Sequence, residues 1–151
     1  MNPIYTPSIG NTLWIPTTKG PHLAVVIATT KAHNHSLLIT LSTLKRTTKE
    51  EPLLILTKQD HPSLSHNTFV KYRKPVLASV TDFHKWASDK SLGGMRSGFS
   101  MNYIHTFQRG LMSSPNVAQK FKDFASVNMV CAGCSSGDLF MNCCGQVLKD
   151  A

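Results

Sequence analysis

Cysteine is absent from the first 130 residues of this 151-residue chain; all four, Cys131, Cys134, Cys143 and Cys144, fall in the last 21. A disulfide framework through the body is therefore excluded. Acidic side chains are also scarce, with 8 Asp plus Glu against 16 Lys plus Arg and a net charge of +8. Charged residues make up only 16% and hydrophobic residues 41%, a balance that excludes coiled coil, collagen and acidic disorder. Long apolar runs are missing too. Leu23-Ala-Val-Val-Ile-Ala28 is far shorter than the roughly 20 residues that a membrane-spanning helix needs. The opening residues, Met1-Asn-Pro-Ile-Tyr-Thr-Pro7, carry neither the basic nor the apolar region of a secretory leader. A cytoplasmic protein without a membrane partner is expected. No internal repeat or low-complexity tract interrupts the chain.

What is present suits one domain, at roughly 100–200 residues per domain. A chain of this length buries about two-thirds of its unfolded surface and needs no staple to fold. Residues 1–125 carry a net +9 and residues 126–151 a net −1. The positive field thus belongs to the body and points to a polyanion, above all RNA. The expected organisation is a barrel domain over 1–125 and a flexible, dispensable cysteine-containing tail over 126–151.

Short apolar segments separated by turn formers predict strands at 12–15, 22–29, 37–41, 53–57, 68–72 and 76–80. Pro16 to Pro21 reads as a loop because proline and glycine punctuate it. Asp82-Phe-His-Lys-Trp86 starts a helix, capped by Thr81 or Asp82, and Met101–Met112 is either helix or strand. Ser114-Pro115 supplies a cap and a first-turn proline, and Val117, Phe121 and Phe124 form a helical stripe, predicting a terminal helix over 115–125. The fold class is mainly β (β+α), a small β-barrel with a C-terminal helix.

The order of these elements resembles the MazF/PemK-type growth inhibitors of toxin–antitoxin systems. The likeness is carried by Gly10-Asn-Thr-Leu-Trp-Ile-Pro16, His22-Leu-Ala-Val-Val-Ile-Ala28 and Leu38-Ile-Thr-Leu-Ser-Thr43. It extends to the stretch from Asp60 to Pro75 and to Arg109-Gly-Leu-Met-Ser-Ser-Pro115, covering about residues 10–125. The resemblance implies an SH3-like barrel and a metal-independent, toxin-type endoribonuclease, a hydrolase acting on single-stranded RNA. It also implies a protein antitoxin and a homodimer. Members that cleave RNA place an Arg in the loop before the Val-rich strand and a Ser or Thr after the next strand. Here Ser42 or Thr43 fills the second position, while the loop reads Thr18-Lys-Gly-Pro-His22. Lys19 keeps the charge without the guanidinium fork. His22 adds a group whose titration range suits acid–base work, although it also simply begins a strand. Lys19, His22, Ser42 and Thr43 are the candidate catalytic residues. The alternative is a non-catalytic barrel that binds nucleic acid or protein.

Lys45, Arg46 and Lys49 form the densest basic patch, and Lys71, Arg73 and Lys74 a second; all six are candidate nucleic-acid contacts. Bases would stack on Trp14, Phe69 or Tyr72, residue types that on strands more often belong to a core. His33 and His35 read as turn histidines rather than a metal pair, and His61 and His66 either face RNA or pack. Cys131-Ala-Gly-Cys134 can supply half of a zinc site, but the adjacent pair Cys143-Cys144 makes closure awkward. A disulfide, an apolar surface or an end without a role are the alternatives. No metal and no cofactor are assigned.

Overall fold

The apolar run at 23–28 is buried on both sides of a sheet. Successive strand residues face opposite ways. Leu23, Val25 and Ile27 accordingly enter one core with Leu37, Ile39 and Leu41. Ala24 and Val26 enter a second with Leu13, Ile15, Leu38 and Phe83. The computed structural model describes residues 5–45, 54–134 and 137–146. Its strands are β1 (Thr12–Thr17), β2 (Gly20–Thr29), β3 (His35–Thr43), β4 (Ile55–Leu56), β5 (Thr68–Ser79) and β6 (Met95–Arg96). They pair antiparallel in the order β4-β5-β3-β2-β1-β6, a curled half-barrel. Helices α1 (Val80–Ser88), α2 (Met101–Ser113) and α3 (Gln119–Asn128) accompany it. The fold is mainly β with a helical minority, and among the described residues it has three α-helices, the ambiguous 101–112 segment being one of them.

Two irregularities bend the sheet. Val26 opposes Leu38 while Ala28 opposes Leu37, leaving Ile27 extra on β2. On β5, Val76 opposes Leu38 and Lys71 opposes Thr40, so Tyr72–Pro75 face the single residue Ile39. Bulges of this kind increase local twist and curl a sheet. The predicted strands at 68–72 and 76–80 are consequently one strand, carried through Pro75 by the irregularity. The predicted loop at 16–21 shrinks to a two-residue turn, Thr18-Lys19, with Pro16 opposite Pro21 and Thr17 opposite Gly20. A proline removes one ladder donor. Placing both prolines at one rung confines that loss. Gly20 closes the turn at φ +102°, a conformation that favours glycine.

The cap of α1 is Ser79, whose Oγ accepts from the Asp82 N–H at 3.1 Å, rather than Thr81 or Asp82. Residues 101–113 are helical, with Ile104, Phe107 and Leu111 buried at helical spacing. The Ser114-Pro115 pair marks the exit from a helix, not the start of one over 115–125. Ser114 closes α2 through its N–H to the Gly110 carbonyl, and α3 begins only at Gln119. Helix α3 is not the last element, since a 3₁₀ turn, Phe140–Asn142, follows it.

The first core continues past residue 126. Met129, Cys131 and Phe140 are all buried in it. Buried Gln108 on α2 ties this segment to the barrel. Its Nε2 donates to the carbonyls of Ile27 (3.3 Å) and Val130 (2.7 Å), and its Oε1 accepts from the Ala132 N–H at 2.9 Å. Among the described residues, no helix is long and apolar enough to cross a membrane.

Candidate functional site

Leu23 pairs with Leu41 across β2 and β3, which sets His22 opposite Ser42 at the end of that ladder. The His22 Nδ1 and Ser42 Oγ lie 3.2 Å apart, within hydrogen-bond distance. Both line a cleft with Thr43, Trp14, Ser63 and His66. Partial burial lowers the His22 pKa below its ordinary 6.5, and the positive charges of Lys71 and Lys19 push the same way, against a hydrogen bond with the Leu41 backbone. Both effects disfavour the imidazolium. The ring is therefore neutral near pH 7 and available as a base. Lys71 reaches it from β5, where pairing with Thr40 places it beside Ser42 in the sheet.

Two further depressions border the cleft. Trp14 and Ser63 are shared with one that reaches Arg96, Ser97 and Pro62. Ser65 and His66 are shared with another that reaches Lys58, Gln59 and Asn67. The three depressions adjoin one another through these shared residues, with His22 and Ser42 in the first and a cationic side chain, Arg96 or Lys58, in each of the others. Arg96 reaches its depression because β6 pairs with the outer edge of β1 and because Gly93 gives it room: a Cβ at 93 would come within 2.7 Å of the Arg96 guanidinium and 3.1 Å of Trp14. Neither Arg96 nor the Ser63–Ser65 segment was singled out from sequence. The glycine pair before Met95-Arg96 is the one local signal, and by itself it reads only as a loop.

The structure thus brings His22, Ser42 and Thr43 together, with Lys71 and Lys19 within electrostatic reach. Lys19 itself is exposed at the tip of the β1–β2 turn. Arg73 and Lys74 are exposed in the irregular stretch of β5, and Lys45 is exposed just past β3. Arg46 and Lys49 lie outside the described residues. Of the stacking candidates, Phe69 and Tyr72 are buried, leaving half-buried Trp14 in the cleft. The two histidines of the 61–66 segment separate cleanly. His61 is 3% exposed, donates from Nε2 to the Ser97 carbonyl at 2.6 Å, accepts the Ser63 N–H on Nδ1 and packs on Phe99. That histidine is structural, whereas His66 lines the cleft. His33 occupies a left-handed turn position, φ 56°, with its Nδ1 2.9 Å from the Pro7 carbonyl.

Among the described residues, one group of side chains is gathered closely enough to hold a metal ion: Cys131, Cys134, Cys143 and Cys144. Burial pushes the Cys131 thiol up, but hydrogen bonds from Cys143, the Gly133 backbone, Cys134 and Cys144 outweigh it and hold this thiol below its usual range. No family model, curated protein or solved structure matches the chain.

Proposed function

We propose that the cleft binds single-stranded RNA and that the chain is a toxin-type endoribonuclease, built on a small barrel of the SH3-like kind. The observation that carries this reading is the His22–Ser42 pair in a cleft adjoined by two depressions that hold Arg96 and Lys58. A neutral imidazole beside a hydroxyl suits removal of a 2′-hydroxyl proton. In the proposed reaction His22 accepts that proton and the 2′ oxygen attacks phosphorus. The P–O5′ bond then breaks, and the 5′ oxygen takes a proton from His66 or solvent. The products are a 2′,3′-cyclic phosphate and a 5′-hydroxyl. Lys71 and Lys19 stabilise the charge that builds on the phosphorane. Trp14 offers a face on which a base stacks. Antitoxin binding and a homodimer belong to the same proposal through the family resemblance alone.

A second reading, a barrel that binds RNA without cutting it, is favoured by one observation: the charge at the β1–β2 turn is the ammonium of Lys19, which lacks the bidentate fork that matches a phosphate. Incubating a defined single-stranded RNA with the full chain and analysing product ends separates the two. Cyclic phosphate ends, with cleavage reduced on the order of 100–10,000-fold by His22→Ala and RNA affinity retained, support the nuclease. Affinity without cleavage supports the binding module.

A further inference from the structure

The four cysteines span residues 131–144, yet their sulfur atoms all lie within 4.8 Å of one another. Backbone pairing accounts for the convergence. Val130 and Leu139 form an antiparallel bridge, the Cys131 N–H donates to the Asp138 carbonyl at 2.8 Å, and the Phe140 N–H donates to the Met129 carbonyl at 2.7 Å. This ladder sets the Cys131–Cys134 loop beside the turn that follows Phe140. The adjacent pair Cys143-Cys144 looks awkward on paper because neighbouring side chains diverge on a regular helix or strand. Cys143 has neither conformation, at φ −133° and ψ −95°. The chain is turned back there by the N–H groups of Cys143 and Gly145, both donating to the Phe140 carbonyl. Both sulfurs can then face the other pair.

The spacing suits a metal better than a disulfide. All four thiols are free, and Cys134 Sγ and Cys144 Sγ are 3.4 Å apart, well beyond the roughly 2.05 Å of an S–S bond. Zinc–sulfur bonds of about 2.3 Å in a tetrahedron set sulfur–sulfur separations of roughly 3.8 Å, which the cluster accommodates. A second observation comes from α2. His105 Nε2 is buried with no hydrogen-bond partner among the described residues. It lies against the cysteine loop so tightly that a Cβ at Gly133 would come within 2.6 Å of it. A buried ring nitrogen with no other partner, set beside sulfur ligands, is placed as the kind of outer contact that orients a metal site. Gln108, one turn along the same helix, fixes Val130 and Ala132 on either side of Cys131.

We propose that Cys131, Cys134, Cys143 and Cys144 bind one zinc ion in a closed tetrahedral site that fastens the Cys131–Cys134 loop to the Cys143–Cys144 turn within the C-terminal segment, beside His105 of α2. Four sulfur ligands leave no open coordination position, so the role is structural rather than catalytic. The assignment replaces the expectation from sequence that no metal is held. It does not depend on the activity of the cleft, since no cysteine lines it.

The test titrates the full-length chain, reduced and stripped of metal, with Co²⁺ and then Zn²⁺. One equivalent of Co²⁺ should give the thiolate-to-cobalt charge-transfer band and the intense visible bands of a tetrahedral sulfur site. One equivalent of Zn²⁺ should bleach them and raise Tm. Cys144→Ser should weaken Co²⁺ binding by more than about 100-fold, beyond the losses typical of outer contacts. Weak octahedral Co²⁺ absorption in the wild-type chain would overturn the proposal, as would a Tm indifferent to zinc or a spectrum unchanged in Cys144→Ser. The wild-type titration decides the matter even if the variant fails to fold.

Discussion

At the residue scale, His22 carries the most chemistry and the sharpest pH dependence. Its folded-state pKa lies below 6.5, first through burial and then through Lys71. The unfolded chain therefore binds this proton at a higher pH than the folded chain does. Stability from this group is complete above about 6.5 and is lost as pH falls through 6.5 toward the folded value. Lys71→Gln removes one repulsive charge and leaves the burial in place. The His22 titration, followed by ring proton NMR, should move up toward 6.5 without reaching it. An unmoved titration would mean that Lys71 does not face the ring. His22 and Ser42 were legible in the sequence because each sits at the end of an apolar strand, and two such ends meet when the strands pair. Arg96 was not legible. Its approach depends on a two-residue strand, Met95–Arg96, joining β1, and so short a segment carries no period. His61 and His66 were indistinguishable for the same reason: burial separates them, and local spacing does not encode it.

Among the elements, α2 is the one that joins the segment after α3 to the sheet through Gln108, although its sequence left helix and strand equally open. Gly110 lets this helix approach β5. A Cβ there would sit on the phenol of buried Tyr72, 2.8 Å from Cε2 and closer still to Cζ and Oη. Gly110→Ala gains up to about 1 kcal/mol of helix propensity. Overpacking a closed site costs about 1–3 kcal/mol, so the clash should prevail unless Tyr72 can swing aside. Urea denaturation should show a net loss of stability; a gain would place the ring elsewhere. Strands β2 and β3 were legible because each is apolar on both faces. The continuity of β5 was not, since Pro75 reads as a break until the irregularity opposite Ile39 is known. The start of α3 at Gln119 is not legible at Pro115, because Ser-Pro is as good an exit from one helix as an entry to the next.

For the molecule as a whole, composition and packing draw different boundaries. Cysteine content and charge both change near residue 126, which suggests a tail. Helix α3 runs through that position to Asn128, and the segment beyond it fills the first core with Met129, Cys131 and Phe140. Those residues have no helical or alternating period because they belong to turns and a single bridge, so their burial is invisible in sequence. Phe140 is fully buried and its ring lies 5.9 Å from that of His105. Phe140→Ala should cost about 3–5 kcal/mol, as deleting a buried aromatic does. A domain of this size typically has about 5–15 kcal/mol in total, so Tm should fall on the order of 10 °C. Truncation after residue 126 removes the same ring together with Met129, Cys131 and the partners of Gln108. It should therefore cost more than the single substitution and leave the buried amide of Gln108 without the Val130 carbonyl and Ala132 N–H. Differential scanning calorimetry of the three proteins orders them. A truncated chain as stable as the full one would show that the barrel closes its core without the segment, and would make the tail dispensable after all.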